Sequence, residues 1–160
     1  MKIRLVKPED LQTITQIESA CFPAAEAATL QTFQNRIRAF PSHFWVLEKR
    51  GSLIGFINGM VTNSRTIRDE MFENAFLHQE NGLYQSVFGL DVLPEHRRQG
   101  YAALLMRVLI ENAKLSGKRG CILTCKEHLL HYYETFGYNN LGISASKHGG
   151  AVWYDMILEF

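Results

Sequence analysis

The chain has 160 residues, which fits one domain (1–160) with a full core. Its residues are 46% hydrophobic and 21% charged, with a net charge of +1 and an isoelectric point near 7.8. That balance is ordinary for a soluble globular protein and leaves no case for nucleic acid or an anionic membrane as the main partner. The start, Met1 to Leu5, has no long apolar core and no small-residue cleavage site, so no signal peptide is expected. No apolar run approaches a membrane span. Three cysteines, Cys21, Cys121 and Cys125, suit a reducing, cytoplasmic setting better than a disulfide framework.

In chain order, Lys2 to Val6 alternates and predicts a first strand. Pro8 suits a helix start, Glu9 and Asp10 suit its first turn, and Leu11, Ile14 and Ile17 keep one face apolar as far as Ala20. A loop follows around Pro23. Thr29 to Ala39 reads as a second helix, with Leu30, Phe33 and Ile37 on one side. Phe44 to Glu48 and Leu53 to Val61 are expected strands joined by a tight turn at Gly51. Thr62 to Gly82 is polar, with a short helix expected within Arg68 to Phe76. Leu83 to Val92 reads as one continuous fourth strand. Tyr101 to Leu115 is a long helix, Cys121 to Thr124 a short buried strand, and Leu129 to Phe136 a short helix stopped by Gly137. Tyr138 to Ala145 and Val152 to Phe160 close the chain as a strand pair around Lys147 to Gly150.

Chemistry concentrates where the fourth strand meets the long helix. Arg97-Arg98-Gln99-Gly100-Tyr101-Ala102 is a basic turn ending in glycine between an apolar strand and an apolar helix. The first N–H groups of a helix lack internal partners, and the helix dipole adds positive potential there. Gly100 lets backbone approach a bulky ligand, and the two arginines add full charges. Such a turn suits a pyrophosphate. It is neither a Walker loop nor the three-glycine dinucleotide fingerprint. The second motif is Tyr132-Tyr133-Glu134-Thr135-Phe136-Gly137-Tyr138.

The spacing Arg-x-x-Gly-x-Ala after a strand closed by Pro94, with Tyr-Glu-x-Phe-Gly-Tyr downstream, resembles the GNAT superfamily of N-acetyltransferases. The resemblance implies an α/β GNAT fold, a mixed twisted β-sheet flanked by helices, and acetyl-CoA as co-substrate. It places CoA on Leu90, Asp91 and Val92 through their backbone and on Arg97, Arg98, Gln99, Gly100, Tyr101 and Ala102. It makes Tyr133 the group beside the thioester sulfur that protonates the departing thiolate. The loop Cys21 to Ala28 and the tail Ser144 to Met156 are similar to the arylalkylamine (serotonin-type) branch and its bacterial relatives. That branch's vertebrate members carry two proton-relaying histidines on the fourth strand. The matching positions here are Ser86 and Phe88. Phe88 cannot carry a proton, and Ser86 offers at most a site to hold a water.

Direct transfer needs the amine about 3 Å from the thioester carbon, a polarised carbonyl near Leu90 to Val92, and removal of a proton from an ammonium of pKa about 10. Ser86 through water, Glu26, His78, Glu80 and His148 are candidate proton acceptors, each of them also readable as a solvated surface group. Phe22 and Phe88 are expected to line the acceptor slot, with Trp45 and Trp153 as aromatic residues of pocket or core. The segments Phe22 to Thr29 and Thr62 to Gly82 are expected to cover it. Cys125, His128 and His131 lack metal-ligand spacing, because Cys121 and Cys125 share one strand face roughly 13 Å apart. Three readings stand: an acetyltransferase acting on a small arylalkylamine-like amine, one acting on a protein or peptide, and a non-catalytic acyl-CoA-binding module. Tyr133 argues against the third, since binding alone does not need its hydroxyl. A homodimer stays open.

Overall fold

The computed structural model describes residues 1–160. Strand β1 (Lys2–Leu5) leads through a 3-10 turn at Pro8–Asp10 into α1 (Leu11–Cys21). Ile14 and Ile17 on α1 are fully buried, as their spacing requires. Helix α2 (Leu30–Ala39) starts at Thr29, whose hydroxyl accepts the N–H of Thr32 at 3.2 Å. Strands β2 (Phe44–Lys49) and β3 (Ser52–Asn58) form a hairpin whose turn residues, Arg50 and Gly51, both take positive φ. Phe44 to Leu47 are all buried because helices cover one face of this sheet and α4 (Tyr101–Leu115) the other.

Two expected strands are broken. The run from Leu53 stops at Asn58, and Val61–Thr62 forms a separate short strand β4. The fourth strand divides into β5 (Tyr84–Val87) and β6 (Gly89–Val92). The break is one residue wide. β6 pairs with β3 in a register that places Gly89 opposite Asn58, but Phe88 N–H also donates to Asn58 O, at 2.7 Å. One extra residue is thus taken up at Phe88, as in a bulge, and the chain bends there. β5 leaves β3 and runs parallel to β7 (Gly120–Cys125).

The mixed sheet therefore comes in two halves. One has the order β1-β2-β3-β6; the other has β4-β5-β7-β9-β8, with β8 at Asn139–Ile143 and β9 at Tyr154–Glu159. They splay apart between β6 and β7. Helix α3 (Asp69–Glu73) lies in the expected polar stretch, and α5 (Leu130–Glu134) precedes β8. No helix is long and apolar enough to cross a membrane.

Candidate active site

The open edge of β6 faces the splay. Leu93 N–H donates to Ile54 O at 2.8 Å, and an antiparallel ladder alternates. Asp91 therefore turns its backbone groups toward β3, while Leu90 and Val92 turn theirs toward the gap, which corrects the expectation that CoA meets the backbone of Asp91 as well as of its two neighbours. Val92 O accordingly accepts from Cys21 Sγ at 3.4 Å and Arg97 Nε at 3.2 Å. Beyond the 3-10 turn Pro94–His96, the backbone of Arg98 has φ 61° and Gly100 has φ 83°. Gly100 is the N-cap of α4 and brings no side-chain acceptor, so the first-turn N–H groups are open to a ligand. Arg98, Gln99 and Gly100 are exposed; Tyr101 and Ala102 are half-buried, with Lys49 Nζ 5.3 Å from the Tyr101 ring.

Next to this edge lies a cavity of about 480 Å³. Phe22, Phe88, Leu90 and Tyr133 all line it. Burial raises the Tyr133 hydroxyl well above an ordinary phenol, followed by the neighbouring Cys125, Tyr132 and Asp91, so the group stays protonated at neutral pH. Phe88 lies under the guanidinium of Arg36 (4.9 Å) and against Phe72 (5.0 Å between ring centroids).

The far wall is tied together from three parts of the chain. Lys126 Nζ bonds Glu26 at 2.9 Å, and the His148 ring bonds Glu26 O at 2.9 Å. Trp153 Nε1 donates to His148 O, His148 stacks on Phe72, and Asp69 accepts from both Ser146 Oγ and Lys147 N–H. Gly149 has φ 61°, and a Cβ there would stand 2.6 Å from Glu26 Cγ. Only glycine lets these two loops meet.

Several sequence expectations need correction. Ser86 is fully buried outside the cavity, and its hydroxyl donates to Met60 O at 2.8 Å, so it has no free hydrogen for a cavity water. The bend at Phe88 is the reason: β5 turns into the second sheet and carries Ser86 into the core. His78 and Glu80 also lie outside the cavity, grouped with the buried His43. Val61 N–H donates to His78 Nδ1 at 2.9 Å, which puts the ring hydrogen on Nε2, facing Glu80. His78 therefore offers Nε2 neither to a metal nor as a base while that bond stands. Trp45 is core. Glu26 and His148 do reach the cavity wall but are held in the ties described above, and Trp153 lines the wall.

Sequence reasoning missed a buried polar group on the near wall. Glu18, Arg36 and the side chain of Asp91 come together from α1, α2 and β6, each under a tenth exposed. Arg36 Nη1 donates to Asn58 Oδ1 at 3.1 Å. Burial pulls the Arg36 guanidinium down to about 10, against the pull of Glu18 and Asp91, so it stays charged at neutral pH. The signal was present: Glu18 shares the apolar face of Ile14 and Ile17, and Asp91 interrupts a hydrophobic strand.

Residues 11–138 match the family described as Acetyltransferase (GNAT) family. The chain is 24% identical over 160 residues to serotonin N-acetyltransferase of Mesocricetus auratus, covering 97% of this chain and 75% of that protein. Among solved structures, the loading GNATL domain of CurA from Lyngbya majuscula superposes with a TM-score of 0.85 at 16% identity, covering 99% and 96% of the two chains. The ribosomal-protein-S18-alanine N-acetyltransferase of Escherichia coli superposes with a TM-score of 0.73 at 19% identity, covering 99% and 92%.

Proposed function

The chain belongs to the acetyltransferase (GNAT) family, with acetyl-CoA as co-substrate, and from that premise we propose that its acceptor is the primary amine of a small aromatic or alkyl molecule. The observation that carries this reading is the cavity itself. About 480 Å³ is within the range of small-ligand sites, roughly 300–1,000 Å³. Its walls include Phe22, Phe72, Phe88 and Trp153, and bonds at Glu26, His148 and Asp69 tie the far wall together.

In this reading the CoA pyrophosphate rests on the N–H groups of Arg98 to Ala102, and the pantetheine runs along the free edge of β6. A backbone N–H of Leu90 or Val92 polarises the thioester carbonyl. The amine nitrogen attacks the thioester carbon, the C–N bond forms and the C–S bond breaks. Tyr133 gives its proton to the thiolate and regains one from the nitrogen. Its raised proton affinity keeps it loaded between turnovers.

A panel of amines with acetyl-CoA, read as thiol release from about pH 7 to 9, tests the acceptor class. Arylalkylamines should turn over, with a rate that rises with pH as more of the amine is neutral. Activity confined to lysine or N-terminal peptides replaces the small-amine reading with a protein acetyltransferase. Resemblance to the S18-alanine enzyme makes that the arm to include.

A further inference from the structure

We propose that Glu18 is the group that takes the proton from the acceptor ammonium, and that Asp91 positions it by holding a second proton between the two carboxyls. The inference rests on the acetyltransferase reading above and supplies the base that β5 does not provide. Three unpartnered polar atoms surround the space left by the missing side chain of Gly89. A Cβ on Gly89 would lie 3.2 Å from Asp91 Oδ1, 3.4 Å from Asn58 Nδ2 and 3.9 Å from Glu18 Oε1. None of the three meets a hydrogen-bond partner in the protein. Glu18 and Gly89 both line the cavity, and Leu90, on the free β6 edge, follows at once. Asp91 and Asn58 lie behind that wall rather than on it, and buried polar atoms without partners are rare, so several grouped beside a lining carboxylate mark a place that a proton fills.

The proton inventory follows from the acceptors. Oε2 of Glu18 accepts from Ala28 N–H at 2.9 Å. Oε1 of Glu18 and both oxygens of Asp91 meet no donor. Two facing carboxylates would repel, whereas one proton between them supplies the missing donor. Burial, then Glu18, raises Asp91 well above an ordinary carboxylate, with Arg36 opposing. With Asp91 protonated, the single charge of Glu18 balances that of Arg36. Charged and titratable groups facing Asp91 come from α1 (Glu18 and Cys21), α2 (Arg36) and α5 (Tyr133).

The steps balance. The ammonium binds in the cavity and gives one proton to the Glu18 carboxylate. The neutral amine attacks; the second nitrogen proton replaces the one that Tyr133 gives the thiolate. Glu18 then sheds its proton to water through the cavity mouth. The net change is ammonium plus thioester to amide, thiol and one proton.

Glu18→Gln, Asp91→Asn and Gly89→Ala test the assignment against wild type. Glu18→Gln keeps an acceptor for Ala28 N–H, and kcat should fall about 100-fold or more with loss of the acid limb of the pH profile and unchanged CoA affinity by calorimetry. Asp91→Asn keeps a donor toward Glu18 but cannot titrate, so kcat should fall less than in Glu18→Gln and the acid limb should be retained. Gly89→Ala narrows the hollow and should raise the acceptor KM while leaving CoA affinity unchanged. One readout needs no activity. Folded protein binds the Asp91 proton more tightly than the unfolded chain, so this group's contribution to stability falls as pH rises from the ordinary carboxylate range toward its raised value. Wild type should therefore lose stability relative to Asp91→Asn as pH rises above the ordinary carboxylate range, read in urea titrations. An unchanged pH profile in Glu18→Gln overturns the proposal, as does an Asp91→Asn loss equal to that of Glu18→Gln, or equal pH slopes of stability. If the stability slopes differ as stated but no small amine gives thiol release, the shared proton stands and the small-amine reading of the acceptor fails.

Discussion

The two sides of the cavity are built differently. In the function proposed above, the donor side runs through one continuous stretch, Gly89 to Ala102, as strand, turn and helix start, with Tyr133 some thirty residues on. The acceptor side is assembled from pieces far apart. Lys126 and Glu26 are 100 residues from each other, His148 and Glu26 are 122, and Ser146 and Asp69 are 77. A thioester handle common to many acceptors needs one fixed cradle, and local backbone geometry can supply it. In the same proposal acceptor recognition falls to loops held in place by long-range bonds, so it can change while the cradle does not.

Tyr133→Phe is the sharpest test of the donor side. Removing a general acid should lower kcat by about 10²–10⁴-fold while CoA affinity moves little. Steady-state kinetics beside calorimetry separates the two. A variant with near-normal kcat, chemistry being rate-limiting, would make Tyr133 a packing residue. Gly100→Val attacks the cradle instead. A side chain there stands in the phosphate path, and φ 83° is strained for any residue with a Cβ. CoA affinity should fall about 10- to 100-fold, the worth of one or two charge-assisted hydrogen bonds. Unchanged affinity in a folded variant would remove the pyrophosphate from this turn.

Gly149→Ala tests the acceptor side. The new Cβ meets Glu26 Cγ at 2.6 Å and Ala25 O at 3.1 Å, on a backbone already at φ 61°. Of order 1–3 kcal/mol of strain should loosen the tie between the two loops and raise the acceptor KM about tenfold, with CoA affinity intact. Equal losses in both affinities would mean that the two sides are not separable.

The same contrast explains how much could be read in advance. α1, α2, α4 and the β2–β3 hairpin follow from periodicity and turn residues, because each buries one face against a sheet. Tyr133 was expected from the family resemblance of its motif, Phe22 and Phe88 from the loop and strand beside it, and all three line the cavity. The break at Phe88 was not legible. Val87 to Val92 is apolar enough to continue as one strand, and the bend depends on β5 finding β7, more than thirty residues later. Glu18 and the side-chain role of Asp91 were missed because a carboxyl in an apolar pattern does not reveal its partner. Here the partner is on another element.

The smallest expected effect comes from Ser86→Ala, and it tests that break directly. Had the fourth strand run straight through residue 88, Ser86 would share the face of Phe88, which lines the cavity. In the structure the bend sends it into the core, where its hydroxyl donates to Met60 O at 2.8 Å and the residue is fully buried. Alanine removes that donor, yet Met60 O keeps Ser86 N–H at 2.9 Å, so the carbonyl is not orphaned. Stability should drop by about 1 kcal/mol, the net worth of one neutral hydrogen bond, measured by urea titration. Both kcat and the acid limb of the pH profile should match wild type, because the residue lies outside the cavity. A hundredfold loss of kcat with preserved fold would restore Ser86 to the proton path and take the base away from Glu18.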